Sequence, residues 1–293
     1  MGEQKTARSL TLPLDGVIPA AAAESIRDKA ARRANDLDGA AWTRYSISVW
    51  NDIRKNPGEL ASSHPAMFPA ALVERLIECF TTGEDIRVLD PFMGSGATLV
   101  AAQNRGKVGI GLEISEQFVG LARERLRQAA LFTTHSEPRI IHDDARNLLR
   151  HMEPNSVDLC VTSPPYWDIL SQRRTADGKP VRDYGDSRDD LGKIAGYERF
   201  LGELGNVFAL VLEALKPGKY CIVNVMDLRK KARFYPFHSD LAARMVEIGW
   251  IYDDLIVWDR RHEYNNLRPL GYPSVFRINK VHEYLLILQK PLE

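Results

Sequence analysis

Cysteine is scarce. The only three in the 293-residue chain, Cys79, Cys160 and Cys221, stand far apart and none belongs to a CxxC pair, which leaves neither a disulfide framework nor a zinc ribbon to read. Cys160 and Cys221 lie in apolar, strand-like runs (VDLCVT, YCIVNV) and read as small buried hydrophobes of a reducing compartment. An excess of one charge is missing as well. Lys and Arg together number 39, and so do Asp and Glu, so any surface for a polyanion must be local. The start, MGEQKTARSLTLPLDG, has no continuous apolar stretch, and no later run reaches the roughly 18 uncharged apolar residues of a membrane span. Neither secretion nor insertion is expected, and the expected compartment is the cytoplasm. Hydrolase and zinc signatures are also lacking: there is no G-x-S-x-G elbow or H-E-x-x-H pair, and the seven histidines show no metal-ligand spacing.

What is present is an alternation of strands and helices. After an Ala-rich, charge-laced helical stretch at residues 20–37 comes helix ALVERLIECF, then strands IRVLDPF, VGIGLEI, PRIIHDD, VDLCVTS, YCIVNVMD, WIYDDLIVWDR and EYLLILQK, with helical patterns between most of them. This predicts an α/β fold, a doubly wound and mostly parallel sheet of about seven strands. Residues 1–56 read as an N-terminal helical extension and residues 57–293 as the main domain. Two long non-periodic segments, 168–196 and 260–280, break the pattern, and loops of that length in a compact domain are often functional.

Several polar groups are predicted to gather at the carboxyl ends of the strands. In LDPFMGSGATLV, Gly94 and Gly96 follow a strand and open a helix, which suits close approach of a ligand to the backbone. Leu99 stands where a dinucleotide fingerprint needs a small residue, and this argues against a pyrophosphate-binding helix. Glu113 ends the next strand, where an acid accepts hydrogen bonds from both hydroxyls of a ribose. Asp143 and Asp144 end the third strand, within reach of a base edge.

The sharpest feature is VTSPPYWDIL at residues 161–170. Two prolines stiffen the chain, remove two N–H donors and leave carbonyl oxygens pointing away from the sheet. An exocyclic amine of a nucleobase has its lone pair drawn into the ring and is a poor nucleophile until acceptors hold its protons. The Ser163 hydroxyl and the Pro164 carbonyl suit that task, Pro165 fixes the bend, and Tyr166, with Trp167 as a second candidate, offers a face to stack on an extruded base.

DPFMGSGATL, HPAMFPAALVERLI and TSPPYW together resemble the amino-group DNA methyltransferases that use S-adenosylmethionine. The resemblance covers the chain from about residue 50 onward. It implies a Rossmann-like methyltransferase domain in which Asp90, Phe92, Gly94 and Gly96 hold the methionine side of the cofactor. By the same resemblance Glu113 takes the ribose, Asp144 the adenine side, and His64, Pro65 and Phe68 cover the methionyl part. Serine before the two prolines is commoner in the N4-cytosine enzymes, and Asp or Asn in the N6-adenine enzymes, so N4 of cytosine is the expected target. An N6-adenine DNA enzyme stands as the alternative, as do an RNA or protein-amide enzyme of the same fold and a silent nucleic-acid-binding module. Carbon-5 methylation is not expected, because no cysteine follows a proline. Ala97 departs from a usual threonine, the cofactor motif precedes the catalytic one, and a separate recognition domain after the last strand is not expected.

Target reading is therefore expected from the two long loops. Candidate contacts to double-stranded DNA are Arg173 and Arg174 in the first loop and Arg260, Arg261 and Arg268 in the second. The basic string DLRKKARFY adds Arg229, Lys230, Lys231 and Arg233. A cognate restriction endonuclease and a second copy of the chain complete the candidate partners.

Overall fold

The computed structural model describes residues 33–56, 59, 68–130, 137–168, 191–264, 267 and 269–293. The chain divides into two compact units, Met1–Ala34 and Asn35–Glu293, and the second carries the sheet. The helix expected over residues 20–37 lies outside the described residues except for 33–37, which are not helical.

Strands β2 (Arg87–Asp90), β3 (Val108–Glu113), β4 (Arg139–His142), β5 (Val157–Thr162) and β6 (Leu215–Val225) run parallel. β10 (His282–Gln289) inserts antiparallel between β6 and β9 (Ile251–Asp259). β1 (Val49–Trp50) pairs with the outer edge of β9. The resulting order is β1-β9-β10-β6-β5-β2-β3-β4, and the seven strands expected from the sequence are all in it. The eighth, β1, has only two residues, too few to show a period. A separate hairpin joins β7 (Leu228–Lys230) to β8 (Arg233–Tyr235).

The central strands are apolar on both faces because both faces are covered, β5 being buried at every residue. Leu159 and Val161 of β5 pack with Leu72, Val73 and Leu76 of α2 (Ala70–Phe80). Their neighbour Cys160 points the other way, to the core built with Phe200, Leu204 and Phe208 of α5 (Tyr197–Ala214) and Leu241 of α6 (Phe237–Glu247). Cys160 faces Cys221 across the β5–β6 pair, and burial pushes the Cys160 thiol well up. Both behave as the small hydrophobes expected. No helix among the described residues is long and apolar enough to cross a membrane.

The domain boundary falls earlier than residue 56, the boundary expected from the sequence. After α1 (Gly39–Tyr45), Trp50 is 1% exposed. The Arg75 guanidinium of α2 sits over both Tyr45 (4.6 Å) and Trp50 (5.0 Å) and pairs with both oxygens of Asp52 at 2.8 and 2.7 Å. Burial of a tryptophan and a bidentate ion pair clasp this segment to the sheet.

Candidate active site

The chain leaves β2, builds outward through β3 and β4, then returns to the other side of β2 as β5. That reversal opens a crevice at the carboxyl ends of β2 and β5, the place where doubly wound sheets receive ligands. The glycine bend and the proline loop border it from opposite sides.

Asp90 ties the two borders together. It is 1% exposed, and its carboxylate accepts from Thr162 Oγ1 at 2.6 Å, Thr98 Oγ1 at 2.6 Å and the Phe92 amide at 3.0 Å. Thr162 precedes Ser163, and Thr98 lies on α3 (Ala97–Asn104), so one carboxylate sets the proline loop in register with the glycine bend. Its part is thus to organise the bend from beneath. The hydroxyl that meets Asp90 is carried by Thr98, the residue after Ala97.

Burial pushes the Asp90 carboxyl up to about 6 from an ordinary 3.8, against the pull of its three hydrogen bonds. The folded state therefore holds the proton more tightly than the unfolded chain. The stability this confers is present in full below pH 3.8 and is lost as the pH rises through 6. The loss amounts to about 3 kcal/mol. Asp90→Asn should flatten this fall, and urea melts at pH 4.5 and 7.5 measure it.

Gly94 and Gly96 adopt positive φ, +53° and +81°, which other residues rarely take. At Gly96 a Cβ would also meet the Ala122 Cβ of α4 (Glu116–Ala130) at 3.0 Å. Arg125 of α4 donates to the Ser95 carbonyl at 2.8 Å, fixing the outer side of the bend. The Glu113 carboxylate, at the end of β3, accepts from the Gly94 amide and the Ser115 amide, each at 2.8 Å. Phe92 is half-buried beside the bend with its edge toward Phe208 (centroids 6.4 Å apart).

At the end of β4 the two acids turn to local partners. Asp144 caps the following short helix, accepting from the Arg146 amide at 2.8 Å, and pairs with the Arg146 guanidinium at 2.5 Å. Hydrogen bonds from His151 and Asn147 hold the Asp143 carboxyl down at about 2. Phe68 is buried in the core with Trp50 and α2, and His64 and Pro65 lie outside the described residues.

Past β5, Ser163 is half-buried and Pro164 buried. The Ser163 hydroxyl lies 3.2 Å from the Tyr166 hydroxyl, which is 3.4 Å from Glu283 Oε2 and 3.5 Å from the Asn224 carbonyl. Glu283 and Asn224 were not anticipated from the sequence; their proximity comes from the β6–β10 pairing. Asn224 is 4% exposed, and its Oδ1 has no partner among the described residues.

Trp167 does not share the stacking role open to Tyr166. Its φ of +49° turns the ring inward, where it is 6% exposed and meets Tyr197 and Tyr235 edge-on at 5.4 and 5.2 Å. Its indole N–H donates to the Ile194 carbonyl at 3.0 Å.

The basic candidates divide. Lys231 and Arg233 are exposed at the hairpin turn, and Arg229 is exposed over the Phe234 ring at 5.4 Å. Lys230 is turned back: it pairs with Asp168 and sits 4.1 Å from the Trp167 ring centre. Arg260 also points inward, bonded to Glu283 and Glu263, and so differs from the expected phosphate contact. Arg261 reaches solvent with its side chain 73% exposed but pairs with Asp259. Arg173, Arg174 and Arg268 lie outside the described residues.

The family description for DNA methylase, of the N6/N4 methyltransferase type, matches residues 21–124 and 157–293. The chain is similar to the type II methyltransferase M.ScaI of Streptomyces caespitosus, 37% identical over 87 residues that cover 28% of each protein. It is also similar to the orphan methyltransferase M.BamHII of Bacillus amyloliquefaciens, 44% identical over 69 residues, 24% of this chain and 26% of that one. The matched part thus spans under a third of either relative's length. Among solved structures, TrmN of Thermus thermophilus overlaps 79% of this chain and 50% of its own at a TM-score of 0.47 and 19% identity. The family match takes in the glycine bend, Glu113 and the proline loop together, and by it the protein belongs to the N6/N4 DNA methylase family.

Proposed function

We propose that the protein transfers a methyl group from S-adenosylmethionine to the exocyclic N4 amine of cytosine in duplex DNA, after the base has been turned out of the helix. The single observation that carries this reading is the junction at Asp90, which fixes an acceptor-rich proline loop against a glycine bend that ends beside an acid.

The residues fit the cofactor by their chemistry. The Glu113 carboxylate accepts the Gly94 and Ser115 amides, which orients it at the end of β3, the place where an acid receives the vicinal diol of a ribose. Gly94 and Gly96 offer backbone for the methionine side, and Phe92 flanks them. When bound, S-adenosylmethionine supplies an electrophilic methyl on a positively charged sulfur.

The chain's own groups do the rest. Ser163 Oγ and the Pro164 carbonyl hold the two amine protons and draw the nitrogen toward a tetrahedral shape. Tyr166 confines the base. Exposed Arg229, Lys231 and Arg233 meet DNA phosphates, which predicts binding that weakens with salt. Serine ahead of the two prolines supports cytosine over adenine.

Nucleoside mass spectrometry of plasmid DNA treated with the protein and methyl-labelled cofactor tests the reading. The expected product is labelled N4-methylcytosine. Labelled N6-methyladenine would move the target to adenine, and unlabelled DNA would remove the DNA reading.

A further inference from the structure

The group behind Tyr166 is a buried carboxylate. Glu283 is 5% exposed, at the start of β10. Its Oε1 takes the Arg260 guanidinium, and its Oε2 accepts from the Asn224 side-chain amide and lies 3.4 Å from the Tyr166 hydroxyl. Arg260 is itself held by Glu263 and packed over the Trp258 ring at 4.8 Å. So firmly anchored a charge, 117 positions along the chain from Tyr166, is more than packing requires, since a buried ion pair adds little net stability.

We propose that Glu283 is a positioning residue that sets the direction of the Ser163–Tyr166 hydrogen-bond chain and receives the proton released on methylation. This rests on the methyl-transfer reading above.

Donors and acceptors decide the direction of the chain. A carboxylate and a carbonyl can only accept, so toward Glu283 and the Asn224 carbonyl the Tyr166 hydroxyl must donate. Its oxygen then accepts the one proton that Ser163 carries. Ser163 Oγ is left with lone pairs facing the crevice, which is the polarity an amine substrate needs. Were Tyr166 to donate to Ser163 instead, Ser163 would point its proton at the amine and oppose binding.

The same chain carries the proton away. As the nitrogen–carbon bond forms and the carbon–sulfur bond breaks, the nitrogen becomes strongly acidic. Its proton passes to Ser163 Oγ, the Ser163 proton to the Tyr166 oxygen, and the Tyr166 proton to Glu283 Oε2. The base leaves neutral, and Glu283 returns its proton to water as the site opens. The present spacings of 3.2 and 3.4 Å are longer than a relaxed hydroxyl bond, as in other catalytic sites before substrate tightens them.

The test is a double-mutant cycle on the full chain, with labelled S-adenosylmethionine and plasmid DNA. Glu283→Gln and Tyr166→Phe should each lower kcat about a hundredfold, with KM for DNA and cofactor affinity held within about threefold. The double variant should be no slower than either single one, because both cut one relay. Multiplying effects, or a Glu283→Gln enzyme of full kcat, would overturn the proposal. Tyr166→Phe leaves the Glu283–Arg260 pair intact, so it stays informative if Glu283→Gln does not fold.

A second readout needs neither cofactor nor activity. A hydroxyl proton aimed at a buried carboxylate is shielded from water, so proton NMR of the unliganded wild-type protein should show a protected hydroxyl resonance, without the downfield shift of a short bond, that vanishes in Tyr166→Phe. Its absence from the wild type would count against the chain. Wild-type protein that labels no DNA would instead undo the methyl-transfer reading, and the NMR result would stand apart from it.

Discussion

Ser163→Ala is expected to slow methyl transfer to DNA by about a hundredfold to a thousandfold, while S-adenosylmethionine binds within about twofold of the wild type. The size follows from the role. A conjugated amine gains nucleophilicity only as its protons are held out of the ring plane, and a well-placed hydrogen-bonding group aimed at a transition state is worth about 3–4 kcal/mol. The separation from binding follows from the architecture, because the glycine bend is fixed by Asp90, Thr98, Glu113 and Arg125 and owes nothing to the Ser163 hydroxyl. Half-buried Ser163 contributes little to folding, so loss of the hydroxyl should leave the urea midpoint nearly unchanged. Single-turnover transfer and calorimetric titration of the cofactor make the comparison. A variant that binds cofactor and keeps its full rate would remove Ser163 from the mechanism.

The centre of the sheet was legible in the sequence because β5 and its neighbours are buried on both sides and so read as nearly unbroken apolar runs. Where structure depended on partners far along the chain, spacing carried no signal. Arg260 looked like one of several free cations; its inward turn is decided by Glu283, 23 positions away. Lys230 sat in a basic string, yet a three-residue strand turns it toward Asp168. Trp167 shared the aromatic candidacy of Tyr166 until a left-handed backbone, unusual for so bulky a residue, sent it into the core. The acids ending β4 were expected to face a ligand, and Asp144 caps its own following turn, the competing role that Asp commonly fills. Leu99 stands where a dinucleotide fingerprint needs a small residue, yet it is no obstacle to close packing, because the small residues that the packing needs, Gly109 and Gly111, are on the neighbouring strand.

That relocation carries the other large expectation. A Cβ added at Gly109 of β3 would lie 2.8 Å from the Leu99 Cα and 2.9 Å from its Cγ. The nearest of these atoms is backbone, so no rotamer change relieves the clash and α3 must move off the sheet. Gly109→Ala should therefore cost about 1–3 kcal/mol of stability. The cost should extend to binding, because α3 carries Thr98 and begins at Gly96: lifting it pulls Thr98 from Asp90 and opens the bend beside Glu113. At Gly111 the crowding is of another kind. An added Cβ would meet Met93 Sδ at 2.5 Å, Met93 Cγ at 2.8 Å and Leu99 Cδ1 at 2.9 Å, all side-chain atoms with no backbone among them, and the flexible Met93 side chain can swing away. Gly111→Ala should be the milder variant in urea midpoint and in cofactor affinity alike. Trimming the neighbour separates the two cases: Leu99→Ala keeps the offending Cα and cannot rescue Gly109→Ala, whereas Met93→Ala should restore much of what Gly111→Ala loses. Equal damage at both glycines, or rescue of the first by Leu99→Ala, would mean that α3 does not rest on β3 through its backbone and that the bend takes its shape from elsewhere.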